Sequence, residues 1–338
     1  MKVALFEKPH QLTITHKDLR KLKGDEVLVK VTACGVCGTD LHIVEGISRS
    51  SPPVVLGHEY AGIVVDAGEE SNGFAAGDHV AVDPNIACGI CFYCRRGDVH
   101  LCERLRALGV DIDGGMAEFC IVPSSQLYRL PSTMAPEQAA FIEPLSCAVH
   151  GIDRAQIRTG DTVVILGGGT VGLLLLQLAT ISGASRVIIV EPVEWKRTIA
   201  SRIGAGVVLD PNAVDVFDFV RDLTGEGADV VIECAGRPET VALSLKLARR
   251  GGTVEWFGVC PLEETVQVEP NSVYFKELTI VGSYVNPHTF DRSIALITAN
   301  KVEFADFVID KFPLDGVHEA LRTLAEGKTI KSLVVPTL

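Results

Sequence analysis

The sequence predicts a two-domain α/β protein: a β-rich domain bearing metal-ligand chemistry, joined to a doubly wound, parallel, six-stranded domain. Three observations predict it. At 338 residues the chain is too long for one ordinary hydrophobic core. From Asp161 onward, strands and helices alternate behind a glycine-rich turn. Before that point, Cys, His and Glu recur at metal-ligand spacing. The expected boundaries are residues 1–150 with 287–338 for the metal-bearing domain, including a lobe at 88–102, and residues 151–286 for the parallel domain.

Composition narrows the partners. A net charge of −12 argues against nucleic acid and anionic membrane, and leaves small-molecule substrates unaffected. Met1 to Phe6 reads as a strand with no apolar h-region behind it, so no secretory signal is expected. The longest apolar run, Val171 to Ala179, contains Gln177 and is far too short to span a bilayer. Ten cysteines in a chain expected in the cytoplasm point to metal ligands and core thiols ahead of disulfides.

Glu26 to Thr32 alternates as a half-buried strand (Val27, Val29, Val31) and leads into Cys37-Gly-Thr39-Asp40-Leu-His42. A thiol, a hydroxyl, a carboxylate and an imidazole thus fall within six residues. A thiolate binds zinc well, and an imidazole titrates near neutral pH, so it can pass a proton to water. Taken alone, Cys34 and Cys37 read equally as buried residues of a turn, because free cysteine is usually buried and inert. Val54 to Val65 reads as strand interrupted by Gly57-His58-Glu59, a bend in which both side chains could reach one point.

Cys88, Cys91, Cys94 and Cys102 follow the spacing Cys-x2-Cys-x2-Cys-x7-Cys, which suits a closed, four-thiolate structural zinc site. A ferredoxin-like cluster would need a Cys-x3-Cys-Pro run, which the chain lacks. Asp111 to Met116 reads as a loop and Ala117 to Val122 as a strand. A helix entry follows over Ala135 to Glu143, with Pro136 in its first turn and an end at Ile142-Glu143-Pro144-Leu145. Glu143 sits among apolar residues and needs a metal, a helix N-terminus or an arginine as partner.

In the second half, the strand Thr162 to Leu166 meets Gly167-Gly-Gly169-Thr170-Val171-Gly172 and a helix to about Ser182. That strand–turn–helix context makes the glycine pattern a dinucleotide-binding turn, with the pyrophosphate at the helix N-terminus. The next strand, Arg186 to Val190, ends on Glu191, placed to bind a ribose diol and to repel a 2′-phosphate. NAD is therefore expected over NADP, although Lys196 and Arg197 are bases able to accommodate the phosphate. Strands Val207 to Asp210, Asp229 to Cys234, Thr253 to Gly258 and Leu278 to Gly282 complete six, with helices around Asp215–Leu223 and Glu239–Ala248. A methyltransferase is the competing class; the complete six-strand run and the upstream ligands weigh against it. Beyond Pro287 come helix Phe290 to Ala299, helix Leu314 to Ala325 and strand Ile330 to Val335, a tail expected to return to the first domain.

Nearly end to end, these motifs resemble the zinc-dependent medium-chain alcohol dehydrogenases, especially the polyol branch of sorbitol, butanediol and threonine dehydrogenases. The resemblance implies a GroES-like catalytic domain and a Rossmann domain, two zinc ions per subunit, and a homo-oligomer, tetramer favoured over dimer, through edge strands near Glu277 to Val285. It implies Cys37, His58 and Glu59 around the catalytic zinc, with Glu143 as a further, exchanging ligand. Thr39 and His42 match the family's proton relay, with Glu143 counted beside them. Cofactor contacts are implied at the glycine turn, Glu191, Lys196, Val259, Ser283, Val285 and Lys331, the last where the family has a base near the pyrophosphate. Asp40 is called for by no ligand role.

The expected reaction is reversible oxidation of a polyol, vicinal diol or other secondary alcohol to a ketone, with hydride passing to NAD. Cys37, Glu59, Glu143 and neutral His58 would fill four zinc positions at net −1, so one glutamate is expected to give way to water or substrate during turnover. Sorbitol dehydrogenases carry Tyr where this chain has Ile43, and Arg where Val285 aligns, which favours a shorter diol over a long hexitol. The alternatives are a threonine-type dehydrogenase, or a zinc- and nucleotide-binding module without turnover.

Overall fold

The structure is a computed structural model and describes residues 1–337. The chain forms two compact units: Met1–Pro144 with Phe290–Ala299 and Phe307–Leu338, and Leu145–Thr289 with Asn300–Asp306. The first holds β1 (Lys2–Lys8), β2 (Gln11–His16), β3 (Glu26–Gly35), β4 (Val54–Val55), β5 (Glu59–Ala67), β6 (His79–Val82), β7 (Asn85–Ile86), β8 (Arg106–Ala107), β9 (Phe119–Pro123) and β10 (Leu127–Arg129). The second holds β11 (Thr162–Leu166), β12 (Arg186–Val190), β13 (Val207–Leu209), β14 (Ala228–Glu233), β15 (Ala248–Trp256) and β16 (Thr279–Gly282). The tail then returns β17 (Ile309–Phe312) and β18 (Lys331–Val334) to the first unit, where β18 pairs antiparallel with β3.

In the first unit, β3 is the organising strand. Its valines alternate inward, with Val27, Val29 and Val31 fully buried against Tyr60, Val64 and Val122. The sheet runs β10-β6-β5-β3-β18-β17, with β9 also on β3. Gly57, between β4 and β5, has φ +92, and a Cβ there would lie 2.5 Å from Cys34 Sγ and 2.9 Å from the Met116 amide. Only glycine fits this bend. It is the bend that presents His58 and Glu59 together.

Two local elements depart from expectation. The Cys37 turn is the start of a short helix, α1 (Gly38–Val44), because the Asp40 carboxylate reaches back 2.9 Å to accept from the Cys37 amide. The helix expected over 135–143 ends early, as α2 (Pro136–Ala140), and α3 (Ile142–Ala155) starts at once. Glu143 and Pro144 therefore open a helix and do not close one. A first turn tolerates proline, whose missing N–H is unneeded there, and favours a carboxylate.

In the second unit the sheet order is β13-β12-β11-β14-β15-β16, all parallel. The helices are α4 (Thr170–Ile181), α5 (Glu194–Arg202), α6 (Val216–Thr224), α7 (Pro238–Leu247) and α8 (Pro270–Lys276). Val163 to Leu166 are fully buried, as a central strand covered on both faces requires. Strand order reverses between β11 and β14, and in doubly wound folds ligands bind outside the carboxyl ends of the strands at such a switch point. The strand expected from Thr253 already begins at Ala248.

Candidate active site

Antiparallel register brings the first cluster together. Gly35 faces Glu59 across β3 and β5, and Gly35 also faces Leu333 of β18. Ligand atoms of Cys37, His58 and Glu59 consequently lie within 4.8 Å of one another. His58 stands between Cys37 and the fully buried Asp40, whose Oδ1 is 3.7 Å from His58 Nδ1. Neither of those two atoms has a hydrogen-bond partner. Burial alone would lower the His58 pKa, but Asp40 and the Cys37 thiol outweigh it and hold it well above its ordinary value. A divalent cation on the thiol side would displace that proton and satisfy the cluster, so the donor set fits zinc.

Lys331 closes the cluster. It is buried, and its ammonium is ion-paired with Glu59 Oε2. Burial pulls its pKa down, yet Glu59, Cys37 and Glu143 together raise it above the ordinary lysine value. Gly35 makes room: a Cβ there would lie 2.7 Å from Lys331 Cε and closer still to Glu59. On α1, the Thr39 hydroxyl is 3.6 Å from Cys37 Sγ, and His42 follows one turn later on the same face.

The second cluster is the four-cysteine lobe, whose ligand atoms also lie within 4.8 Å of one another. Cys91 and Cys94 sulfurs are 3.4 Å apart, and the Cys88 amide donates to Cys102 Sγ at 3.2 Å. Backbone N–H groups of Cys94 and Glu103 pull the Cys91 thiol down to about 6. Desolvation and the neighbouring thiols push Cys94 up to about 12. Four thiolates cannot share this space without a cation, and four sulfurs at this separation match a tetrahedral zinc shell.

The third feature is the glycine turn. Gly167 has φ +115, Gly169 is the N-cap of α4, and a Cβ on Gly172 would collide with the Gly167 carbonyl. The Gly168 amide donates to Glu191 Oε2 at 2.8 Å, and the Val193 amide donates to Oε1 at 2.9 Å. Glu191 thus braces the turn from the end of the neighbouring strand.

Residues 23–132 match the alcohol dehydrogenase GroES-like domain, and residues 170–299 match the zinc-binding dehydrogenase domain. The chain is 34% identical to D-arabinitol dehydrogenase 1 of Uromyces fabae, over 99% of this chain and 97% of that protein. The chain belongs to the zinc-dependent medium-chain alcohol dehydrogenases. It is also 37% identical to L-threonine 3-dehydrogenase of Pyrococcus horikoshii, over 93% and 92% of the two chains. A chain of Sinorhizobium meliloti 1021, assigned as a zinc-binding dehydrogenase and solved with NADP, superposes with a TM-score of 0.96 at 42% identity, covering 99% of each chain.

As a medium-chain alcohol dehydrogenase, the protein has its motif residues distributed unevenly. Cys37, His58 and Glu59 converge; Glu143 is buried in the first turn of α3 and is not one of the three atoms-in-contact ligands. Lys331 touches Glu59, a contact not anticipated from sequence. Lys196 lies with its ammonium 5.6 Å from the Trp195 ring centroid, and Val259 is 78% exposed. The Ser283 hydroxyl is buried without a hydrogen-bond partner, and Val285 holds φ +48, an uncommon conformation for a β-branched residue. Ile43 packs in the core of the first unit, so its difference from Tyr is a packing difference before it is a substrate contact. Asp40 has no ligand role in the sequence; its three-residue spacing from Cys37 is the clue to a supporting one.

Proposed function

We propose that this dehydrogenase oxidises a short polyol, vicinal diol or other secondary alcohol to a ketone with NAD, reversibly. The convergence of Cys37, His58 and Glu59 beside Thr39 carries the reading. These three would hold a catalytic zinc, with Glu143 as the exchanging fourth ligand, and Cys88, Cys91, Cys94 and Cys102 would hold a structural one. When bound, zinc would acidify the substrate hydroxyl and the nicotinamide would accept hydride. The chain's own residues do the rest. Thr39 receives the hydroxyl proton by hydrogen bond and His42 passes it to solvent. Asp40 orients His58, and Lys331 offsets the charge of Glu59. Gly167, Gly169, Thr170, Val171 and Gly172 cradle the pyrophosphate, Glu191 takes the ribose diol, and Lys196, Val259, Ser283 and Val285 border the cofactor.

A threonine-type activity is the second reading, favoured by the similarity to the Pyrococcus enzyme. The proposed site is tested by reduced-nicotinamide absorbance with a panel of diols, polyols and L-threonine, before and after chelation. Turnover with L-threonine alone would choose the second reading; no turnover in zinc-replete protein would leave only a binding module. Thr39→Ala should keep both zinc ions and lose about 100-fold in kcat; an unchanged kcat removes the relay. All ten cysteines are free, which suits a reducing cytoplasm. β16 ends its sheet with an unpaired edge, and Tyr274, Phe275 and Tyr284 near it are exposed, which supports a homo-oligomer, a tetramer by preference. Light scattering that gives a monomer would end that part of the reading.

A further inference from the structure

Glu191 follows β12 and Asp210 follows β13, its sheet neighbour, with Val190 opposite Leu209 in register. Both residues therefore lie just beyond the carboxyl edge of the sheet, where nucleotides bind in doubly wound folds. Arg197 of α5 reaches the backbone of the first and the carboxylate of the second. Its Nη1 donates to the backbone carbonyls of Glu191 and Pro192, each at 2.7 Å, and its Nη2 meets Asp210 Oδ2 at 3.1 Å. The pair is mostly buried, with 17% and 27% of the two side chains exposed. Asp210 is itself fixed, because its Oδ1 accepts from the Asn212 amide at 2.9 Å.

We infer that Asp210 is a specificity-determining positioning residue: it holds the Arg197 guanidinium against the strand end and so withholds it from a ribose 2′-phosphate. Arginine is the residue best shaped to take a phosphate, by two parallel N–H bonds. Here Nη1 is taken up by the Glu191 and Pro192 carbonyls, and Nη2 faces Asp210. Neutralising Asp210 takes the charged partner from Nη2, and that edge of the guanidinium can then turn to a 2′-phosphate. Discrimination would then rest on Glu191 alone. The inference rests on the NAD reading above, and it makes cofactor choice a property of an ion pair behind the ribose site as well as of Glu191.

The test uses cofactor fragments, so it needs no turnover. Calorimetric affinities of 5′-AMP and 2′,5′-ADP are measured for the zinc-loaded wild-type protein, Asp210→Asn, Arg197→Leu and the double variant. Asp210→Asn should raise the 2′,5′-ADP to 5′-AMP affinity ratio about tenfold, the scale of one charge-assisted hydrogen bond. The NADP to NAD ratio of kcat/KM should rise in step. Arg197→Leu alone should leave the fragment ratio within about twofold, and the double variant should return it to the wild-type value. Equal weakening of both fragments in Asp210→Asn would reduce the pair to a structural brace and overturn the inference. So would a selective loss of 2′,5′-ADP in Arg197→Leu, which decides the matter even where Asp210→Asn folds poorly. Wild-type preference for 2′,5′-ADP would end the NAD reading itself, while the change in ratio on Asp210→Asn still judges the clamp.

Discussion

Lys331 and Glu59 form a buried ion pair beside the Cys37 thiol, in a space that Gly35 leaves open by having no side chain. The pair joins two strands far apart in sequence, since β18 and β5 both flank β3. It also gives the glutamate two alternatives. With Lys331 as partner, Glu59 is neutralised without a metal; with a metal, it can share its charge.

Lys331→Met should expose which alternative dominates. Removing one member of a buried ion pair strands the other, at a cost of about 3 kcal/mol. That loss is expected in full in chelated protein and in reduced form in zinc-loaded protein, where Glu59 can turn to the metal. Thermal unfolding of both forms checks this. Equal losses would mean that Glu59 does not reach the metal.

Asp40→Asn keeps an acceptor for the Cys37 amide but removes the charge facing His58. Catalytic-metal affinity should fall about tenfold to hundredfold, as for other carboxylates behind ligand histidines. Chelator competition measures it, with the lobe metal as internal reference. An unchanged affinity would return Asp40 to a purely helix-capping role.

Cys94→Ser should lower zinc content from about two to about one per chain and reduce thermal stability, while the remaining zinc stays with Cys37 and His58. Cys94 sits 3.4 Å from the Cys91 sulfur and 4.0 Å from that of Cys88, within the group of four thiols. Elemental analysis reads the stoichiometry. Two zinc ions retained per chain would contradict the four-thiolate site.

Glu255, in β15, is fully buried and neither carboxylate oxygen has a hydrogen-bond partner. Gly151 lies beside it: a Cβ there would be 2.9 Å from Glu255 Oε1. Desolvation raises its pKa well above the ordinary 4.5, and Arg154 only partly opposes this. A carboxyl raised on folding takes up its proton in the folded state. Its contribution to stability is thus complete below the unfolded value of 4.5 and is lost as pH rises above it. Glu255→Gln should match wild type in unfolding free energy near pH 4 and exceed it increasingly toward pH 7, by about 1–3 kcal/mol. A difference independent of pH would show that Glu255 is paired in solution.

Much of this protein was legible in the sequence. The parallel domain was readable because its signals are local: a strand, a glycine turn with one residue of forbidden side-chain space, and a helix, repeated in order. The four-cysteine lobe was readable because all its ligands fall within one short loop. Helix boundaries around Glu143 were misplaced, because a proline in the first turn of α3 resembles one that ends the helix before it. The tertiary structure alone decided what surrounds the ligands. Asp40 against His58, Lys331 against Glu59 and Asp210 against Arg197 are each set by strand register or by a helix crossing a strand end. Sequence specifies the ligands, since ligand chemistry needs particular atoms. Their charge partners are specified only by folding, since a buried charge takes whichever opposite charge the packing brings within reach.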